Sequence, residues 1–137
     1  MEGISVRWGW LRFMYLYTIV GAGSLGLGII FAPGVVRSTL GWPRQDPLTL
    51  GITGSVYLAF AALSILGLRS PLKLAPVLLL QLCYKLIWLA GVILPLVVAG
   101  HLPAHGAILA AIFATYVIGD VIAIPFGYVL GRESRPT

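Results

Sequence analysis

Four long apolar stretches dominate this chain of 137 residues and restrict the folds that it can adopt. They cover approximately residues 10–31, 47–68, 71–99 and 104–130. Each is long enough to cross the ~30 Å hydrocarbon core of a bilayer as a helix. Only 9% of the residues are charged, whereas an average soluble domain has about 25%. The sequence therefore predicts an all-α, polytopic membrane protein, with residues 1–137 forming a single four-helix transmembrane bundle with short loops.

Turn and capping residues mark the ends of these stretches. The first stops at Pro33-Gly34, a pair that interrupts helices. Asp46-Pro47 and Ser70-Pro71 each place a capping side chain before a proline, which suits the first turn of a helix. The second and third helices are therefore predicted to begin at these two pairs.

The basic residues predict the orientation of the bundle and exclude one class of partner. Six of them fall at the N-terminus, in the turn between the second and third helices and in the C-terminal tail: Arg7, Arg12, Arg69, Lys73, Arg132 and Arg135. The opposite side has only Arg37 and Arg44. An excess of Lys and Arg marks the cytoplasmic side, so both termini are predicted to be cytoplasmic. Because these charges flank apolar segments and form no basic stripe, the expected partner is the lipid bilayer and not nucleic acid.

A glycine motif in the first helix has the spacing of a dinucleotide-binding loop. Residues 21–26 match G-x-G-x-x-G, and Asp46 follows twenty residues after the last glycine. That fingerprint requires a preceding strand, which the middle of an apolar helix does not provide. Gly21, Gly23, Gly26 and Gly28 are instead predicted to let a neighbouring helix approach closely.

A pair of histidines has the spacing of metal ligands on a helix. His101 and His105 are four residues apart, but Pro103 lies between them at a predicted helix start. The two rings need not share a face, and no third ligand lies near them in the sequence. We predict no metal site, and the sequence identifies no cofactor.

Two charged residues lie deep inside predicted transmembrane helices. Lys85 lies twelve residues after Lys73, and Asp120 lies twelve residues before Arg132. At 1.5 Å per residue, each is ~18 Å from its cytoplasmic marker and near the bilayer midplane. A charge at this depth costs about 2.5–3.5 kcal/mol on insertion scales and usually has a partner. Because the two helices are antiparallel and joined by a short loop, we expect an ion pair.

The same count predicts a polar layer to which all four helices contribute. Tyr57 lies twelve residues before Arg69, and Ser24 lies twelve residues after Arg12. Polar and small residues one helical turn apart also form a stripe on each helix. The stripes are Tyr17, Gly21, Ser24 and Gly28; Thr53, Tyr57 and Ser64; Gln81, Lys85 and Trp88; and Tyr116 and Asp120. Such stripes are expected to face the interior of the bundle.

Intramembrane charges usually mark functional sites, so this layer is the candidate site. We expect a lipophilic small molecule, a quinone or a lipid, to bind there. The candidate ligand-binding residues are Lys85, Asp120, Tyr57, Gln81, Tyr84, Trp88, Tyr116 and Ser24.

Three alternatives remain open at this point. The ion pair could serve only to lock two helices together. The chain could be an accessory or structural subunit of a larger membrane complex, or a homo-oligomer, with the glycines as its contact face. It could also be a membrane isomerase or oxidoreductase subunit in which Lys85 or Asp120 transfers a proton.

The arrangement resembles that of a known group of small membrane proteins. The break at Phe31-Ala32-Pro33, followed by Asp46-Pro47 and Tyr57-Leu58, is similar to the pattern of DoxX-like proteins. More broadly, the chain resembles four-helix bundles of the emopamil-binding type. The resemblance implies a four-helix membrane architecture. It implies no single function, because members range from quinone-linked oxidoreductase subunits to lipid-binding proteins, and it assigns no residue a role.

Overall fold

A computed structural model describes residues 5–133 of the chain. Within this range, four helical spans are long and apolar enough to cross a membrane: Trp8–Phe31, Pro47–Arg69, Ala75–Val98 and Ala104–Ala123. The same range contains no strand. The predicted all-α four-helix transmembrane class is therefore confirmed, whereas the orientation of the termini stays a prediction.

The helices are labelled in chain order. The first two spans are α1 (Trp8–Phe31) and α3 (Pro47–Arg69), and the short helix α2 (Pro33–Leu40) lies between them. The third span consists of α4 (Ala75–Trp88), a π-helical turn (Leu89–Ile93) and α5 (Leu94–Val98). The fourth is α6 (Ala104–Ala123), which is followed by the short α7 (Phe126–Val129).

The four spans form a ring in which α1 packs most extensively on α3. Glycines make this contact possible. A Cβ atom at Gly26 would stand 2.9 Å from the carbonyl oxygen of Gly54 and from the amide nitrogen of Leu58, both on α3. A Cβ atom at Gly23 would meet Ala61 at 3.4 Å. The predicted close approach of a neighbouring helix is confirmed at these positions.

The outer surface of the bundle is mostly apolar, and its interior holds several polar and charged side chains. Large side chains such as Val20, Ile87 and Ile118 are more than 60% exposed, as expected of residues that face lipid. The buried polar and charged residues are Thr18, Ser64, Gln81, Lys85 and Asp120. On α1 the buried line passes through Thr18 and not through the predicted stripe, because α1 turns its closest face towards α3.

The predicted N-terminus of α3 is confirmed. The Asp46 carboxylate accepts hydrogen bonds from the Thr49 hydroxyl at 2.8 Å and from the Thr49 amide at 3.1 Å, and Pro47 is the first helical residue. These bonds stabilise the charged carboxylate and lower the pKa of Asp46 below its ordinary value.

Two helix boundaries differ from the approximate predicted ones. The third span begins at Ala75 and not at Pro71, because residues 70–74 form a turn whose Pro71 carbonyl accepts a hydrogen bond from the Tyr15 hydroxyl at 2.6 Å. The fourth ends at Ala123 and not near residue 130. Ile124 is extended there, as a residue before proline tends to be, and Pro125 has no amide hydrogen to continue the helix.

Candidate ligand-binding site

The Lys85 side chain lies in the interior of the bundle against three aromatic rings. It is 2% exposed, and its Nζ donates a hydrogen bond to the Tyr84 hydroxyl at 2.8 Å. The Nζ lies 4.4 Å from the ring centroids of Tyr84 and Tyr116 and 4.9 Å from that of Phe113. Aromatic faces attract cations, so these rings partly replace the water that the amine loses on burial.

Asp120 does not form the predicted ion pair with Lys85. Within residues 5–133, no carboxylate oxygen lies within 4.0 Å of the Lys85 Nζ. The Asp120 carboxylate instead accepts hydrogen bonds from the Gln81 Nε2 at 3.1 and 3.4 Å. Gln81 lies one helical turn from Lys85 along α4, so the two charges sit at different depths.

The depth prediction failed because its reference residues lie outside the helices. Lys73 belongs to the turn before α4, and Arg132 follows both the break at Pro125 and α7. Measured from the helix ends, Lys85 is ten residues into α4, or ~15 Å, whereas Asp120 is three residues from the end of α6, or ~4.5 Å.

Asp120, Gln81 and Thr18 form a buried group that we call the Asp120 cluster. All three side chains are 0% exposed. The Gln81 Nε2 also lies 3.3 Å from the Thr18 Oγ1, and the Thr18 hydroxyl lies 2.8 Å from the Met14 carbonyl oxygen, to which it donates a hydrogen bond. The cluster joins α1, α4 and α6 through the middle of the bundle.

A cavity of about 420 Å³ borders Lys85, and we call it the Lys85 cavity. Lys85 is the one charged side chain that lines it among the described residues. All three rings that contact the Nζ line it as well. The complete lining is Tyr17, Val20, Gly21, Ala22, Ser24, Leu25, Val36, Thr39, Leu40, Tyr57, Tyr84, Lys85, Ile112, Phe113 and Tyr116.

A second cavity, of about 520 Å³, lies between α3, the third span and α6. Trp88 lines it and packs on Phe113, with the ring centroids 4.9 Å apart. His105 also lines it, at the first turn of α6. Tyr57, Tyr84 and Phe113 line both cavities and so form the partition between them.

The structure divides the predicted site residues into three groups. Five line the Lys85 cavity: Ser24, Tyr57, Tyr84, Lys85 and Tyr116. Trp88 lines only the second cavity, and Gln81 and Asp120 line neither. The predicted α1 stripe of Tyr17, Gly21 and Ser24 faces the Lys85 cavity and not the closely packed α3.

The sequence interpretation missed two residues of the site. Phe113 faces Lys85, and Thr18 completes the Asp120 cluster. Phe113 lies three residues before Tyr116, so extending the α6 stripe by one turn would have found it. Thr18 gave no such signal, because it lies beside the predicted α1 stripe.

Comparisons of the chain with protein-family models, with curated proteins and with solved structures give no match. The resemblance to DoxX-like proteins therefore stays a prediction. Within residues 5–133, no group of three or more histidine, cysteine, aspartate or glutamate side chains is placed to hold a metal ion.

Proposed function

We propose that this multi-pass membrane protein binds one lipophilic molecule in the Lys85 cavity, with the polar end of the ligand at Lys85 and both termini of the protein in the cytoplasm. The observation that carries this proposal is the single charged side chain bordering an otherwise mostly apolar cavity. Polar groups placed singly in an apolar pocket orient a ligand, and pockets for small molecules typically enclose ~300–1,000 Å³.

The position of the cavity supports entry from the bilayer. Val20 on α1 is 67% exposed and Ile112 on α6 is 37% exposed, and both line the cavity. Ser24, one helical turn after Val20 on α1, is also exposed and lines the cavity. A lipophilic molecule would therefore reach Lys85 from lipid, between α1 and α6, without crossing water.

The two alternative functions have less support. Gly21 faces Tyr116, Gly26 faces α3 and Gly28 faces Val36, so these glycines serve contacts within the chain and do not favour a docking face for a subunit. Proton transfer by Asp120 is not favoured either, since Asp120 lines neither cavity.

The proposal is tested by filling the cavity. Ser24→Phe places a ring in the Lys85 cavity, whereas Ser55→Phe makes the same change at an exposed serine of α3 that lines neither cavity. The protein and both variants are purified in lipid nanodiscs, and bound lipophilic molecules are identified by extraction and mass spectrometry. We expect a molecule that is retained by the unmodified protein and by Ser55→Phe and is lost from Ser24→Phe. Equal retention by all three would contradict the proposal.

A further inference from the structure

We propose that the ligand of the Lys85 cavity is an amphiphile with a carboxylate head, such as a long-chain fatty acid, whose carboxylate forms the ion pair with Lys85 that the chain itself does not supply. This inference rests on the proposed function and names the class of ligand that the cavity takes.

The Lys85 amine contacts no acidic side chain in the part of the chain that the structure describes. Within residues 5–133, the acidic side chains are Asp46, Asp120 and Glu133, and none has an oxygen within 4.0 Å of the Lys85 Nζ. The Asp120 carboxylate accepts a hydrogen bond from Gln81, and the Asp46 carboxylate accepts one from Thr49 at the start of α3. A buried cation with no anion in contact with it is costly in a membrane, so a ligand carboxylate that contacts the amine would offset part of that cost.

Further hydrogen-bond donors face the same cavity. The Tyr84 hydroxyl accepts from Lys85, which leaves its own hydrogen free to donate. The Tyr57 hydroxyl makes no hydrogen bond to any residue of the described range 5–133, and Tyr57 lines the cavity. The Tyr116 hydroxyl, in contrast, already donates to the Tyr17 carbonyl oxygen at 3.2 Å. A carboxylate has two oxygens that accept about four hydrogen bonds, which suits an amine with two phenols.

The remaining wall of the cavity is mostly aliphatic. Beyond the aromatic residues at Lys85, the cavity continues along α1 and reaches α2, where Val36 and Leu40 line it. Val20, Leu25 and Ile112 form the sides. These aliphatic side chains suit an acyl chain. A neutral head group on such a chain would leave Lys85 without a counter-ion, so the argument favours the acid over the alcohol.

The test compares ligands that share a tail and differ in the head. Radiolabelled hexadecanoic acid and hexadecanol are titrated onto the full chain in nanodiscs, with empty nanodiscs to subtract partitioning into lipid. We expect the acid to bind at least about tenfold more tightly than the alcohol, as a charge-assisted hydrogen bond implies. Lys85→Met should abolish this preference. Lys73→Met is the matched control, because Lys73 is the other lysine of the chain and is exposed in the turn before α4, so it should keep the preference.

Two conservative variants test the phenol donors without removing the charge. Tyr57→Phe and Tyr84→Phe should each weaken binding of the acid by about two- to tenfold. They should weaken binding of the alcohol less, because a neutral hydroxyl accepts weaker hydrogen bonds than a carboxylate. Equal binding of acid and alcohol by the unmodified protein would overturn the carboxylate assignment, as would a preference that survives in Lys85→Met. In both of those cases the alcohol still binds and Ser24→Phe still blocks it, so the proposed function stands. If Ser24→Phe releases neither ligand, the proposed function fails as well.

Discussion

The two charges inside the bundle lie on neighbouring helices but occupy opposite kinds of environment. Asp120 is fully enclosed, its carboxylate is held by Gln81, and Gln81 is held in turn by Thr18. Lys85 has one hydrogen bond to Tyr84, aromatic faces around it and a cavity beside it. The Asp120 cluster is therefore closed, whereas the Lys85 cavity is open to lipid.

This difference shows that a buried charge alone does not identify a functional site. A closed cluster satisfies its own hydrogen bonds and ties α1, α4 and α6 together, so it supports the fold. An open site leaves part of its bonding capacity for another molecule. Changes in the Asp120 cluster should therefore reduce stability, and changes at the Lys85 cavity should alter ligand binding with little effect on stability.

The largest loss of stability is expected from Gln81→Leu. This change removes the amide that donates to Asp120 and leaves a buried carboxylate without a partner. Removing one partner so that a buried polar group is left unsatisfied costs about 1–3 kcal/mol, and more when that group is charged. We expect a decrease of about 3 kcal/mol in the free energy of unfolding, measured by denaturant titration in mixed micelles.

A double variant tests whether the unpaired Asp120 carboxylate causes the loss of stability in Gln81→Leu. Gln81→Leu combined with Asp120→Leu removes both partners, which is often nearly neutral when the replacements are apolar and of similar volume. The second change should therefore restore most of the stability that the first one removes. A double variant that is less stable than Gln81→Leu alone would show that the Asp120 carboxylate is not left unpaired by the single change.

A smaller loss is expected at the edge of the same cluster. Thr18→Val keeps the shape of the side chain but removes the hydroxyl that contacts Gln81 and donates to Met14. One neutral hydrogen bond contributes about 1 kcal/mol, so the free energy of unfolding should fall by about that amount. Ser24→Ala is the control on the same helix, since Ser24 is exposed at the Lys85 cavity and should give no measurable change. An equal decrease in the free energy of unfolding of both variants would contradict the proposed difference between the Asp120 cluster and the Lys85 cavity.

The sequence predicted the four spans well because transmembrane helices need long apolar runs, and nothing else in a membrane protein resembles them. It also predicted that Lys85 and Tyr57 face the interior. Polar residues that recur at helical spacing mark the face of a transmembrane helix that avoids lipid. The ion pair failed for a local reason. A few residues of turn before Ala75 and the break at Pro125 shift the depth of both charges, whereas the prediction treated both segments as continuous helix.

The cavities could not be predicted from sequence either. They depend on how closely each pair of helices approaches, and that distance is set by contacts between residues far apart in the chain. Gly26 brings α1 onto α3, which leaves the α1–α6 side less closely packed and lined by small residues such as Gly21 and Ser24. The sequence showed these small residues but not which neighbour each one meets.

The smallest change in stability is expected from Lys85→Met in ligand-free protein. Methionine has nearly the same length, so it fills the space of the lysine stem. The change gives up the hydrogen bond to Tyr84 and the contacts with the aromatic rings, together worth about 1–3 kcal/mol. It also removes the cost of holding an ammonium in the membrane interior, about 2.5–3.5 kcal/mol. Because these amounts nearly cancel, the free energy of unfolding should change by less than about 1 kcal/mol. It is measured by the same denaturant titration in mixed micelles as for Gln81→Leu. A loss as large as that of Gln81→Leu would mean that Lys85 holds the bundle together and would place it with Asp120 as a structural residue.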